Sequence, residues 1–215
     1  MSHCTHNELI KFTKTSYSIA RRSLPSYSNR FSNHRYTQHQ HIVLLSLMKR
    51  LRLTYREVVE VIALMPEVQD ILGLETVPHY TTLQKFFRRM SSVLFDVLLR
   101  RTVELCGIHG AWISIDGTGH SSCYASVYYA QRKTGAERQQ RKRYTRNQIA
   151  VETGNQVIIA HRVARGPRHE ARDAPPPLIR KTKAVHPVGY SMDKAYDSEE
   201  IRRVVVEERK WEQRV

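Results

Sequence analysis

The chain has 215 residues, and its 35 lysines and arginines against 20 acidic residues give a formal net charge of +15. This length suits one medium domain and a small one, and the charge favours a polyanionic partner, most simply nucleic acid. The cysteines, Cys4, Cys106 and Cys123, form no CxxC pair, which excludes a disulfide framework or zinc cluster and fits a reducing cytoplasm. We interpret Cys106 and Cys123 as packing residues. The apolar runs are too short to span a bilayer and no signal peptide opens the chain, so we expect no membrane partner.

Residues 1–40 are rich in Ser, His, Asn, Tyr and Arg and carry little periodic apolar content. This composition predicts a basic, loosely ordered arm. His34, His39 and His41 are conceivable metal ligands, but their spacing matches no zinc pattern. We therefore interpret them as surface histidines.

Residues 41–108 show apolar spacing typical of helices. Thr54 with Glu57 forms a capping box at the start of one helix, and Thr81 with Gln84 forms a second box. These signals predict several short helices joined by tight turns, which together form a separate helical domain.

The helix after the second capping box has two contrasting faces. Its apolar stripe consists of Leu83, Phe86, Phe87 and Met90. The opposite face carries Lys85, Arg88 and Arg89, which we expect to contact DNA. Short helices ending in a basic one are typical of a helix-turn-helix-like DNA-binding module. The alternative is a helical bundle whose cations are merely solvated, but the basic character of the whole chain favours DNA binding.

Beyond a boundary near Gly107 to Gly110 the apolar periodicity changes to two, over residues 109–215. The segments "AWISIDGTG", "RNQIAVET" and "QVIIAHRVAR" predict three strands, and the last two are joined by a turn at Gly154 and Asn155. A short helix after three prolines, a strand in "HPVGYSM" and a helix over 198–211 follow. The predicted fold class is therefore α+β, with an N-terminal helical domain followed by a mixed α/β sheet.

Asp116 and Asp193 each follow an apolar strand. Asp193 is not needed to start the next helix, because Asp197 and Glu200 supply a capping pair. If the two strands are neighbours, both carboxylates lie in one crevice at the strand ends. Two such acids repel each other unless a cation lies between them, and hard oxygen ligands suit Mg²⁺ or Mn²⁺. The pattern predicts a metal site for phosphoryl transfer on nucleic acid; the alternative is two surface aspartates in turns.

A basic segment with neighbouring tyrosines runs from Arg132 to Arg146. Its expected phosphate contacts are Arg132, Lys133, Arg141, Lys142 and Arg143, and Lys194 beside the second aspartate is another. Tyrosines next to this segment are suited to stacking on distorted DNA ends. An exposed hairpin with a solvated charge run is the alternative.

Several blocks of the sequence resemble insertion-sequence transposases of the DDE superfamily. The segments "SIDGTGHSSCYASVYYAQRK", "QVIIAHRVARGPRHEARDAPPPLIRK" and "SMDKAYDSEEIRR" are similar to three successive blocks of that family, and "LRLTYREVVEVI…LGLETVPHYTTLQKFFRRM" to its preceding helical domain. The likeness covers roughly residues 30–215. It implies a ribonuclease-H-like core whose catalytic, metal-binding acids end the first and fourth strands; by motif match these are Asp116 and Asp193. It also implies Mg²⁺- or Mn²⁺-dependent DNA cleavage and strand transfer.

Two departures from the family pattern change this expectation. The family usually has glycine at the position of Ala195, and its third catalytic acid, a glutamate on a helix further downstream, has no match in this chain. The candidate glutamates all fall in the helix directly after the motif: Glu199, Glu200, Glu207, Glu208 and Glu212. The resemblance is therefore to a transposase with a partial core, lacking its last block. We expect the chain to bind DNA but neither nick nor join it.

The expected partner is double-stranded DNA, namely the terminal inverted repeats of the element and the target DNA, with a homodimer as an option. The expected location is the cytoplasm, in association with the nucleoid. Two alternatives remain open: a DNA-binding remnant without chemistry, and a basic RNA-binding protein. The RNA-binding alternative is weaker because the sequence has no aromatic-glycine signature of an RNA-recognition sheet.

Overall fold

The chain has an α+β fold, as the sequence predicts. The computed structural model describes residues 2–31, 34–121, 144–165 and 175–210. In this part of the chain eight α-helices accompany a four-stranded sheet. Contacts divide the chain into two compact units, Met1–Thr102 and Val103–Val215. Across the described residues, no helix combines the length and the apolar character needed to cross a membrane.

The elements have the following bounds. The helices are α1 (Ser2–Ser23), α2 (Gln38–Arg50), α3 (Tyr55–Ala63), α4 (Pro66–Leu72), α5 (Tyr80–Arg89), α6 (Ser92–Cys106), α7 (Pro175–Thr182) and α8 (Glu199–Lys210). The strands are β1 (Trp112–Ser121), β2 (Tyr144–Glu152), β3 (Ile158–Arg165) and β4 (Gly189–Met192). Short 3-10 turns cover Lys183–Val185 and Lys194–Tyr196.

The N-terminal segment forms helix α1, so the expectation of a loosely ordered arm is wrong for most of it. Ile10, Thr13, Tyr17 and Ala20 follow helical spacing along one side of α1, and α1 packs on α2. Thr13 is fully buried because its hydroxyl donates to the carbonyl of Leu9 at 2.8 Å. The stripe is hard to recognise in the sequence because two of its four members are polar.

A capping box that the sequence analysis missed starts α2. The Thr37 hydroxyl accepts from the amide of Gln40, and the Gln40 side chain accepts from the amide of Thr37. The side-chain nitrogen of Gln40 also donates to the carbonyls of Leu72 and Gly73, at 3.0 and 3.2 Å. Gly73 ends α4 with a φ of +60°, a conformation that favours glycine. Gln40 therefore fixes the end of α4 against the start of α2.

His39 and His41 are buried, which corrects the interpretation of His34, His39 and His41 as surface histidines. His39 bonds through Nε2 to the carbonyl of Leu24, and His41 bonds through Nδ1 to the carbonyl of Thr37, both at 2.8 Å. Only 7% of His41 is exposed. His34 is exposed. The buried rings extend the core of the helical unit, whose fully buried members include Val43, Leu47, Val58, Ile62, Val68, Leu72 and Leu83.

One of the two predicted capping boxes is confirmed. Thr54 and Glu57 exchange hydrogen bonds at the start of α3, where the Glu57 carboxylate accepts from the Thr54 amide at 2.7 Å. The box of Thr81 with Gln84 is wrong, because α5 begins earlier and His79 accepts from the amide of Thr81 at 3.4 Å. A histidine ring replaces the expected hydroxyl as the cap.

Helix α6 crosses the division between the two units, which falls before the boundary predicted near Gly107 to Gly110. Cys106 ends this helix as an exposed free cysteine, so its interpretation as a packing residue is wrong. Cys123 lies outside the described residues.

The sheet of the second unit has the strand order β3-β2-β1-β4. β1 pairs antiparallel with β2, β2 pairs antiparallel with β3, and β1 pairs in parallel with β4. The predicted hairpin of β2 and β3 is confirmed. Its turn is held by Glu152, whose carboxylate accepts from the amides of Gly154 and Asn155 at 2.6 and 2.7 Å.

One face of this sheet is buried beneath helices. α7 packs on β2 and β3, and α8 packs on α7. The buried side chains of this layer include Ile113, Ile115, Ala150, Leu178, Ile179 and Ile201. Helix α8 starts differently from the prediction: Ser198 accepts from the amide of Ile201 at 3.3 Å, while Asp197 pairs with Arg202. The predicted capping pair of Asp197 and Glu200 is therefore wrong.

Candidate functional site

The parallel pairing of β1 with β4 brings the two predicted metal ligands together. The last registered pair is Ile115 with Met192, so Asp116 and Asp193 occupy the next position on each strand. Paired residues of adjacent strands lie about 4.8 Å apart with side chains on the same face. Ile115 faces the buried layer with 1% exposure, so the alternation along β1 directs Asp116 to the opposite, open face. Both aspartates are exposed.

β1 does not end at Asp116, contrary to the prediction. It continues to Ser121 along β2, and Asp116 itself pairs with Ile149 of β2. The strand that ends here is β4: its last residue, Met192, pairs with Ile115, one residue before Asp116. The Asp116 carboxylate accepts from the amide of Gly117 at 2.6 Å, which holds it close to the backbone.

Asp193 follows β4 in an extended conformation and precedes the 3-10 turn Lys194–Tyr196. Its carbonyl accepts from the amide of Tyr196 at 2.8 Å, but its side chain makes no capping hydrogen bond. The Asp193 carboxylate therefore does not cap the turn, in agreement with the prediction that it is not needed to start the next helix. Lys194, an expected DNA contact, is exposed directly beside it.

Tyr196 packs on the buried side of the sheet, opposite the two aspartates, and is not among the residues predicted from the sequence. Its side chain is 5% exposed, and its hydroxyl lies 3.4 Å from the side-chain nitrogen of Gln148 on β2, which is 1% exposed. Gly117 leaves the room that this hydroxyl occupies. The available signal was the glycine directly after Asp116, since a strand glycine often marks a close approach by another group.

A second close approach stabilises the other end of the β1–β4 pair. A Cβ atom at Gly189 would lie 2.5 Å from the ring of Trp112, which is its registered partner. Only glycine allows the indole ring to lie across β4 at this point. The pairing is thus fixed by close packing at both of its ends.

The chemical character of the open face near the aspartates is that of hard oxygen ligands. Ser114 and Ser191 are registered partners two residues before Asp116 and Asp193, and therefore share their face. The two carboxylates suit one Mg²⁺ or Mn²⁺ ion whose remaining ligands are water or phosphate oxygens. Among the described residues, no group of three or more His, Cys, Asp and Glu side chains is placed to hold a metal.

The predicted DNA-binding cations of α5 lie on its exposed side. Lys85, Arg88 and Arg89 are exposed, whereas Leu83 is buried in the helical core. Phe87 was expected in the apolar stripe but is 40% exposed, so the cationic surface has an aromatic residue within it. Arg89 donates through Nε to the carbonyl of Lys85 at 3.2 Å, which orients its guanidinium along the helix.

The remaining predicted DNA contacts are Arg132, Lys133, Arg141, Lys142 and Arg143, and they lie outside the described residues.

Comparisons with models of protein families, with curated proteins and with solved structures find no match to this chain.

Proposed function

We propose that this chain is a DNA transposition protein of the insertion-sequence type with a partial catalytic core, in which Asp116 and Asp193 are ligands of a divalent cation beside the DNA backbone. The observation that carries the proposal is the parallel pairing of β1 with β4, which aligns the two carboxylates. The strand order β3-β2-β1-β4 also supports it. The family resemblance implies a ribonuclease-H-like core with its acids on the first and fourth strands; here Asp116 lies within β1 and Asp193 directly follows β4.

The residues around the aspartates have complementary roles in this proposal. The cation, when bound, supplies Lewis-acid activation of the water or 3′-hydroxyl that attacks the phosphodiester. The amide of Gly117 orients the Asp116 carboxylate through its 2.6 Å hydrogen bond. Lys194 offers a positive charge to a DNA phosphate beside Asp193. These roles require the DNA backbone to approach the open face of the sheet at the end of β4.

DNA binding by the helical unit completes the proposal. Lys85, Arg88 and Arg89 place three positive charges on the exposed side of one short helix. The half-exposed ring of Phe87 lies on the same helix. In a helix-turn-helix-like arrangement, α5 would be the helix that approaches DNA, with α3 packed behind it.

A DNA-binding protein without chemistry is the second candidate. It is favoured by the site itself, since the described residues bring only two carboxylates together. Two carboxylates hold one ion, whereas a mechanism that clamps both the attacking and the leaving oxygen uses two ions. The two candidates agree on DNA binding and differ in whether the bound DNA reaches the metal ligands.

The effect of bound DNA on the affinity for Mn²⁺ distinguishes the two candidate functions. Mn²⁺ binding to the whole chain is measured by electron paramagnetic resonance with and without duplex DNA. Under the proposal, DNA raises the affinity for Mn²⁺ because its phosphate oxygens complete the coordination sphere, by about 5- to 150-fold if the coupling is of ordinary size. Asp116→Asn with Asp193→Asn should remove this gain.

Asp197→Asn is the matched control, because Asp197 lies four residues after Asp193 but is paired with Arg202. It should retain the coupling. DNA binding that leaves the Mn²⁺ affinity of the unmodified chain unchanged would establish the second candidate and reject the first.

A further inference from the structure

A basic cavity of about 440 Å³ lies between α1 and α4 of the helical unit, and none of the cations of α5 lines it. It is lined by Lys14, Tyr17, Ser18, Arg21, Arg22 and Ile71. Five of these residues belong to α1, and Ile71 is the contribution of α4. The lining thus combines three cations and two hydroxyls with a single apolar side chain.

No described acidic side chain neutralises the positive charge of this cavity. Within the described residues, Lys14, Arg21 and Arg22 form no ion pair. The acidic residues of α4, Glu67 and Asp70, do not line the cavity. Cations in the last turn of a helix interact favourably with its dipole, which accounts for the two arginines. Lys14 lies about two turns earlier, so the dipole does not account for it.

The walls of the cavity are held in place by buried groups. The ring of Tyr17 meets His39 edge to face, with centroids 6.5 Å apart, and the Arg21 guanidinium lies 5.8 Å from the Tyr17 centroid. His39 in turn bonds to the carbonyl of Leu24, just beyond α1. On the other side, Gln40 fixes the end of α4 through two carbonyls. In the described part of the chain, the hydroxyls of Tyr17 and Ser18 have no hydrogen-bond partner.

We propose that this cavity binds a phosphate group of the DNA backbone. Guanidinium groups bind phosphate with two parallel hydrogen bonds, a lysine adds a point charge, and free hydroxyls supply further donors. The identity of the partner rests on the function proposed above, and the cavity adds α1 to α5 as a second region of phosphate contact.

The test compares duplex binding by two double variants of the whole chain, in EDTA, by fluorescence anisotropy. Lys14→Ala with Arg21→Ala removes two cavity cations; Lys11→Ala with Arg100→Ala removes two exposed cations that do not line it. We expect the cavity variant to bind about ten-fold more weakly near 0.1 M salt. The slope of log affinity against log salt concentration should also fall by about one, since the cavity binds one phosphate and each phosphate contact contributes roughly one.

A charge-preserving variant, Lys14→Arg, keeps a cation at position 14 and leaves the Arg21 guanidinium in place, so it should bind within about two-fold of the unmodified chain, which separates loss of contact from loss of fold. Equal affinities and salt slopes for the cavity and control variants would overturn the proposal. Because no divalent metal is present, this result does not depend on Asp116 or Asp193.

A second arm distinguishes a free phosphate ligand from DNA. Inorganic phosphate is compared with chloride at equal ionic strength, and the thermal unfolding midpoint is measured. If phosphate stabilises the unmodified chain but not the cavity variant, and duplex binding is the same in both, the cavity serves a small phosphate compound and its assignment to DNA is overturned.

Discussion

A Cβ atom placed on Gly117 would lie 3.0 Å from the hydroxyl oxygen of Tyr196. Gly117 directly follows Asp116, and Tyr196 closes the 3-10 turn that follows Asp193. The two segments that carry the aspartates are therefore packed against each other on the buried side of the sheet, opposite the carboxylates. The geometry of the candidate metal site therefore depends on the contact between Gly117 and Tyr196, neither of which is a proposed metal ligand.

Gly117→Ala is expected to destabilise the second unit by about 1–3 kcal/mol, because the added methyl group overpacks a buried contact. It should also weaken metal binding by shifting the turn after Asp193. Tyr196→Phe removes the hydroxyl, so the double variant should cost clearly less than the sum of the two single changes. Urea unfolding of the four proteins measures this coupling. Additive costs would mean that the glycine and the tyrosine do not interact.

The stability of the helical unit is expected to fall in mild acid because of His41. Burial lowers the pKa of His41 below its ordinary value of 6.5, the hydrogen bond to Thr37 opposes this, and the charge of Arg89 lowers the pKa further. The unfolded chain therefore binds the proton first as the pH falls. The contribution is fully present above about pH 6.5 and is lost as the pH falls toward the folded-state pKa.

His41→Phe retains the stacking on Phe86, whose ring centroid lies 4.7 Å from that of His41. Between about pH 7.5 and 5.5, its unfolding midpoint should change less than that of the unmodified chain. His34→Phe is the control, since His34 is exposed. Chemical denaturation across this range checks the prediction, and identical pH profiles for His41→Phe and the unmodified chain would contradict it.

Replacing Lys85, Arg88 and Arg89 together with alanine should weaken DNA binding and reduce its salt dependence, because phosphate contacts release counterions. Lys11→Ala with Arg30→Ala and Arg100→Ala removes the same charge from other exposed positions and is the control. Anisotropy titrations over a range of salt concentrations provide the comparison. If both triple variants lose affinity equally, α5 contributes only net charge.

Ser191→Glu should strengthen Mn²⁺ binding, because it adds a carboxylate two residues before Asp193 on the same face of the sheet. The gain should vanish when Asp116 and Asp193 are both replaced by asparagine. Val188→Glu, at an exposed position before β4, serves as the control for added negative charge. Calorimetry of these three variants and the unmodified chain measures the effect, and an equal gain in both single glutamate variants would show that charge alone is responsible.

The predictions from sequence succeeded where the signal was local. The turn at Gly154 and Asn155 joins two alternating strands, and the exchange between Thr54 and Glu57 spans three residues, so both could be read from adjacent positions. The start of α8 failed by one residue, because Ser198 and Asp197 are equally good caps in sequence. In the structure Asp197 is paired with Arg202, and Ser198 is the cap.

Long-range features could be predicted only in part. The sequence indicated that Asp116 and Asp193 follow strands. Their proximity could be predicted only on the condition that β1 and β4 are neighbours. The structure shows that these two strands are paired. The support from Tyr196 and Gln148 involves residues 48 positions apart, and no spacing rule reports such a contact. Helix α1 was missed because its buried side includes Thr13, whose hydroxyl is satisfied within the helix.

The central claim is that Asp116 and Asp193 share one divalent cation, and direct Mn²⁺ titration of the metal-free chain tests it. We expect one site. Asp116→Asn and Asp193→Asn should each weaken it by at least about ten-fold. Replacing residues that only support metal ligands already lowers metal affinity by about that factor. The double variant should lose little more than either single variant, because both ligands serve the same ion. Asp197→Asn should bind like the unmodified chain, and a double variant that still binds Mn²⁺ with unchanged affinity and stoichiometry would contradict the claim.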